Sequence, residues 1–166
     1  MYDRILLPTD GSEGTNRAVR QAIDLAAETG AELHVLFVVE DMPYAPEMMD
    51  EQVEMRPREI GQEAVEDIRE RADETGVAVE RVVEAGTPPP AILNYADSED
   101  FDLIVMGTHG RGGLNRLLLG SVAERVVRSA TVPFMTVRVG NVEEPPLDRS
   151  DVQPGNLDPS VTPAIE

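Results

Sequence analysis

At 166 residues the chain is long enough for one domain with its own core. Its 32 carboxylates against 14 basic residues give a formal charge of −18, and every basic residue is arginine. The absence of cysteine excludes disulfides and thiol chemistry, and the acidic field argues against a nucleic-acid partner, whose phosphates call for Lys and Arg patches.

A surface this acidic repels itself at low ionic strength and is screened by salt, which points to a halophilic cytoplasm. The opening Met1-Tyr2-Asp3-Arg4 runs straight into a strand-like segment and lacks the charged start and apolar stretch of a signal peptide. No run approaches the ~18 apolar residues of a spanning helix, so a soluble cytoplasmic protein without a membrane partner is expected.

Ile5-Leu6-Leu7 is a short buried strand ended by Pro8, with Thr9-Asp10-Gly11-Ser12 as the turn. Ser12 is placed as the cap of a helix carrying Ala18, Ala22, Leu25 and Ala26 on one face and stopped by Gly30. Residues 33–39 form a second, nearly all-apolar strand, with His34 as a satisfied strand residue. Residues 40–57 hold three prolines and four methionines and read as a loop, with Pro57 starting the next helix. Ile60, Ala64, Ile68 and Ala72 mark its apolar stripe, and Gly76 ends it.

Residues 77–83 make a third strand near an edge, marked by Glu80 and Arg81. Thr87 caps and Pro88 opens a short helix whose buried face is Ala91, Ile92, Tyr95 and Ala96. Residues 101–106 are the fourth strand. Ser121 opens the last helix, with Glu124 completing a capping box, and residues 131–139 give a fifth strand from about Pro133. Alternation of apolar strands with helices predicts an α/β fold, a parallel sheet with helices on both faces and right-handed crossovers. Residues 140–166 carry five prolines and six carboxylates, and are expected to be a disordered acidic tail outside the domain of residues 1–139.

The chemistry concentrates in Gly107-Thr108-His109-Gly110-Arg111-Gly112-Gly113, between the fourth strand and the last helix. Strand, glycine-rich turn and helix N-terminus together hold phosphates: backbone N–H groups point at the anion and the dipole favours it. Gly120, Ser121 and Val122 supply such N–H groups. Gly107 and Gly110 let a ligand approach the backbone. Arg111 pairs well with phosphate, and His109 is a weaker candidate. Gly113 stands where a P-loop needs lysine, and the first turn lacks the dinucleotide fingerprint. Asp10, at the end of the first strand, suits a ribose hydroxyl or a divalent cation beside phosphates. No nucleophile, base and acid constellation is visible.

Gly107, Gly110, Gly120 and Ser121 keep the spacing Gly-2x-Gly-9x-Gly-Ser/Thr. With the opening Ile5-Leu-Leu-Pro-Thr-Asp-Gly-Ser and the ending Thr131-Val-Pro-Phe-Met-Thr-Val, the chain resembles the nucleotide-binding members of the universal stress protein family over about residues 2–139. The resemblance implies a five-stranded parallel sheet ordered 3-2-1-4-5 and a bound ATP, often with magnesium or manganese. It implies a homodimer through the fifth strand. It carries over Asp10 as the ribose acid with Pro8 and Thr9 shaping that wall, and Val38 as the backbone contact to adenine, favoured over Val39. Met106 and Gly107 match the end of the fourth strand, and Gly110, Gly120, Ser121 and Val122 match phosphate contacts. The leading reading is an ATP-binding stress-response regulator with slow or no turnover. A nucleotide-independent interaction dimer, and a slow ATPase or autophosphorylating switch using Ser121 or Thr108, are the alternatives.

Overall fold

The computed structural model describes residues 1–40, 51–108 and 119–138, with residues 51–56 described by their backbone alone. Its strands are β1 (Arg4–Thr9), β2 (Glu32–Val39), β3 (Val79–Ala85), β4 (Leu103–Gly107) and β5 (Phe134–Val137). Its helices are α1 (Asn16–Thr29), α2 (Glu51–Asp73), α3 (Pro88–Ser98) and α4 (Ser121–Ser129), and a 3-10 turn spans Glu13–Thr15. The strands form one five-stranded sheet in the order β3-β2-β1-β4-β5, and every pairing is parallel. This is the expected order, with helices on both faces.

The sheet is covered on both sides because alternate residues of each inner strand face different layers. Ile5, Leu7, Leu33, Val35, Phe37 and Val105 pack with Ala18, Ala22 and Ala26 of α1 and Val65, Ile68 and Ala72 of α2. Leu6, Leu36, Ile104 and Met106 pack with Ile92 and Ala96 of α3 and Ala123 and Val126 of α4. Ile5, Leu6 and Leu7 are completely buried. At about 1.5–3 kcal/mol per buried aliphatic side chain, they make β1 the anchor from which the site is hung.

Several boundaries differ from the sequence reading. β1 does not stop at Pro8 but continues through Thr9 beside β2, pairing Pro8 with Leu36 and Thr9 with Phe37. The register with β4 covers Ile5 and Leu6, so a residue without an N–H is carried beyond those pairs. α2 begins at Glu51 and takes Pro57 into its interior rather than starting there. Glu51 to Arg56 are mostly good helix formers, and that local propensity extends the helix back past the proline, at the loss of one backbone hydrogen bond. Residues 41–50 of the expected loop lie outside the described residues.

Ile60 is 44 % exposed and leaves the apolar stripe of α2. The buried line runs through Gly61, Val65, Ile68 and Ala72, with Ala64 half-buried beside it. Gly61 is chosen by the ring of Phe37: a Cβ there would lie 2.7 Å from Phe37 Cδ1. β3 starts two residues later than expected, although Val77 is buried. β5 is shorter than expected, from Phe134 to Val137, with bends at Thr131 and Val132. The expected strand end at Val139 and the acidic tail lie outside the described residues. Among the described residues no helix is long and apolar enough to cross a membrane.

Candidate functional site

In an open parallel sheet, ligands bind beyond the carboxyl ends of the strands where the strand order reverses. Here that point is β1, flanked by β2 on one side and β4 on the other. Three places therefore share the same sheet edge: the turn after β1, the end of β2, and the end of β4 where Thr108 meets Gly120.

The turn after β1 is built by its own polar groups. Gly11 takes a left-handed φ of 71°, which a side chain would disfavour. Its N–H donates to Thr9 Oγ1 at 3.1 Å. The N–H and the hydroxyl of Ser12 both donate to Asp10 Oδ1, at 2.9 and 2.6 Å. The carbonyl of Ser12 in turn accepts from the N–H and the hydroxyl of Thr15, at 3.1 and 2.8 Å. Ser12 thus precedes the 3-10 turn rather than α1 itself, and its hydroxyl caps no helix N–H. Its partner is Asp10. The sequence signal for this arrangement is the Asp10-Gly11-Ser12 tripeptide, which favours a local side-chain to backbone turn.

β2 outruns β1. The last β1 pair is Thr9 with Phe37, while β2 continues to Val39 and pairs there with Ala85 of β3. The carbonyl of Val39 accepts the N–H of Gly86 at 2.9 Å. Val38 and Val39 are both half-buried, Val38 on the α3–α4 side and Val39 on the α1–α2 side. Val38 therefore lies beyond the end of its β1 neighbour, at the carboxyl edge of the sheet.

β4 ends at Gly107, which is buried and pairs with Val137, and Met106 is 7 % exposed. Thr108 continues the ladder, its N–H donating to the carbonyl of Val137 at 2.9 Å. The carbonyl of Thr108 accepts the N–H of Gly120, so the chain returns to its starting point before α4 begins. Gly110 and Arg111, with His109, lie outside the described residues.

The expected capping box is absent. Gly120 occupies the N-cap position and makes no side-chain cap, and Ser121 is the first helical residue. Glu124 is one position too far along to fold back: its N–H goes to the carbonyl of Gly120 at 2.8 Å and its carboxylate pairs with Arg128 at 2.9 Å. Gly120 has no side chain to offer the N–H groups at the start of α4, which sit at the positive end of the helix dipole.

His34 departs from the satisfied strand residue expected. It is buried on β2, with Nδ1 2.9 Å from the Tyr95 hydroxyl and its ring edge-on to Phe101. Nε2 lies 3.3 Å from Glu32 Oε2 without hydrogen-bond geometry. A cavity of about 690 Å³ lies on the opposite margin, lined by α2 and β3. There Arg69 and Arg81 hold the Glu66 carboxyl below its ordinary value. Among the described residues no group of three or more His, Asp or Glu side chains is placed to hold a metal ion.

This geometry defines an open, doubly wound α/β protein whose strand order reverses at β1. The chain belongs to the universal stress protein family, whose model matches residues 1–138. It is 39 % identical over 141 residues to a universal stress protein of Methanocaldococcus jannaschii, covering 83 % of each chain. Its fold is similar to the universal stress protein UspA of Lactobacillus plantarum, with a TM-score of 0.73 and 27 % identity over 82 % of this chain and 98 % of that one. It is also similar to a universal stress protein solved in complex with cAMP, with a TM-score of 0.67 and 25 % identity over 84 % of this chain and 99 % of the other.

Proposed function

We propose that this chain is an ATP-binding stress-response regulator that turns nucleotide over slowly or not at all. The observation that carries the reading is the N-terminus of α4, entered through Gly120, which has no side chain to cap it, and tied to the end of β4 through the Gly120–Thr108 hydrogen bond, on the same sheet edge as Asp10. Such a terminus is an anion site, and Asp10 gives the neighbouring wall an acceptor for ribose hydroxyls. The related protein that binds cAMP supports an adenine nucleotide as the ligand.

In this reading Pro8, Thr9 and Asp10 form the ribose wall, and the backbone of Val38 meets adenine. Met106 and Gly107 floor the crevice. Gly110, Arg111, Gly120, Ser121 and Val122 hold the phosphates. Magnesium or manganese would be held chiefly by the phosphate oxygens and would offset their charge beside the Asp10 carboxylate. Turnover is slow because the sequence supplies no nucleophile and base pair. Mass spectrometry of small molecules released from the denatured protein tests the proposal, together with calorimetric titration of Mg-ATP in molar KCl. Absence of any released nucleotide and of any ATP binding would reject it in favour of a nucleotide-independent interaction protein.

A homodimer through β5 is the second part of the proposal. β5 is an edge strand, and Phe134, Met135 and Val137 are only half-buried. An open apolar edge of this kind invites pairing with a second copy. Light scattering at micromolar protein in molar KCl checks it, and a monomer would refute it.

A further inference from the structure

The double hydrogen bond from Ser12 to Asp10 has no part in the nucleotide reading above. Were Asp10 only to cap the turn, the backbone N–H of Ser12 at 2.9 Å would suffice. The hydroxyl adds a second donor to the same oxygen at 2.6 Å. Two donors on Oδ1 fix the plane of the carboxylate, and with it the direction in which the group meets a ribose.

Ser12 is itself held. Its carbonyl accepts from both donors of Thr15, and the Thr15 hydroxyl lies 3.4 Å from the hydroxyl of Thr9, which receives the N–H of Gly11. Thr9 and Thr15 are both buried, so the ring of contacts is anchored in the core beneath the turn. A carboxylate held this way loses little rotamer freedom on binding, whereas a free one would be ordered by the ligand.

We propose that Ser12 is a positioning residue that presets Asp10 to read ribose hydroxyls. The inference rests on the nucleotide reading and adds to it the source of selectivity for ribose over a sugar without hydroxyls. Ser12 touches no nucleotide in this scheme and acts through Asp10.

The test compares ATP with 2′,3′-dideoxy-ATP by calorimetry, with magnesium in molar KCl, for the parent, Ser12→Ala, Ser12→Thr, Asp10→Ala and the Asp10→Ala, Ser12→Ala double variant. Losing a hydrogen bond between a hydroxyl and a charged group should leave the parent preferring ATP by about tenfold or more. Ser12→Ala retains the backbone hydrogen bond and hence the turn. It should cut that preference to about threefold or less, with the loss falling on ATP and dideoxy-ATP affinity unchanged. Ser12→Thr keeps the hydroxyl and should restore the preference. Since Ser12 acts through Asp10, the double variant should be no weaker for ATP than Asp10→Ala alone.

Equal weakening of both nucleotides by Ser12→Ala, or an unchanged preference, would overturn the proposal while the nucleotide reading stands. A parent that binds both nucleotides equally would overturn the ribose role of Asp10 and this inference with it. A parent that binds neither would overturn the nucleotide reading itself. A Ser12→Ala protein that does not fold leaves Ser12→Gly as the second variant without the hydroxyl: a lost preference there, with dideoxy-ATP affinity unchanged, supports positioning by Ser12, and an equal loss on both nucleotides refutes it.

Discussion

The N–H of Gly120 donates to the carbonyl of Thr108, while the N–H of Thr108 donates to the carbonyl of Val137. One residue thus joins the end of β4 to the edge strand β5 and to the start of α4. The helix N-terminus is thereby tied directly to the sheet. A phosphate site on that terminus inherits its position from the packed core.

That relationship gives the first prediction. Gly120→Val keeps a backbone conformation open to valine, since φ is −59° and ψ is 150°. The branched side chain stands where a phosphate would approach the N–H groups of Ser121 and Val122. Nucleotide binding should be abolished with little loss of fold. Calorimetric titration beside a thermal melt in molar KCl checks it; unchanged affinity in a folded variant would remove Gly120 from the site.

The second prediction concerns the core under α2. A methyl group at Gly61 would lie 2.7 Å from the ring of Phe37, which is only 6 % exposed. Overpacking costs about 1–3 kcal/mol, against a helix-propensity gain of about 1 kcal/mol for alanine over glycine. Gly61→Ala should therefore lower stability, and adding Phe37→Leu should relieve the clash. Urea midpoints of the two variants decide it. A rise in the midpoint of Gly61→Ala would show that the ring yields freely.

Asp102 gives a pH dependence. Its carboxylate accepts from the N–H groups of Asp3 and Arg4, at 2.7 and 3.0 Å. These donors, that of Arg4 foremost, hold the group below its ordinary value of 3.8. A depressed carboxylate contributes stability that is present above the unfolded value and is lost as pH falls through the folded one. Asp102→Asn should accordingly flatten the acid limb of the stability curve below about pH 4, where the parent falls more steeply. Melts of both proteins across that limb test it; superimposable curves would show that the terminal contact contributes nothing.

Salt should matter more than any single ion pair. With a formal charge of −18 and no lysine, the folded chain repels itself until the field is screened. The melting temperature should rise clearly between about 0.1 M and about 2 M KCl, most of the early gain coming from screening. Concentrated salt also strengthens apolar burial, so the deciding comparison is a variant with several exposed carboxylates changed to Asn or Gln. It should reach the same stability at lower salt. Identical salt curves would mean that the acidic surface does not set the requirement.

The parallel sheet was legible because Ile5–Leu7, Leu33–Val39 and Leu103–Met106 are nearly unbroken apolar runs. Strands covered on both faces need such runs, and helices between them leave few other architectures. Gly107 and Gly120 were legible as the end of the fourth strand and the residue before the last helix, since glycine punctuates element ends. Pro57 misled because its preference for a first helical turn is statistical, and the helix formers before it carried the helix further back. The Ser121 and Glu124 pair misled because two residues at the right spacing make a box only if the first is the cap. Here Gly120 takes that position and Arg128 takes Glu124.

Sequence alone therefore determined which faces of each element are apolar and where the chain must turn, since periodicity and backbone preference act over a few neighbouring residues. Tertiary structure decided how far β2 runs past β1, what the Gly120 N–H meets and which residue the Thr108 N–H reaches. A hydrogen bond forms with whatever acceptor lies about 3 Å away in a permitted direction. Strand register and the packing of α4 against the sheet set those distances, and neither follows from residue order by itself.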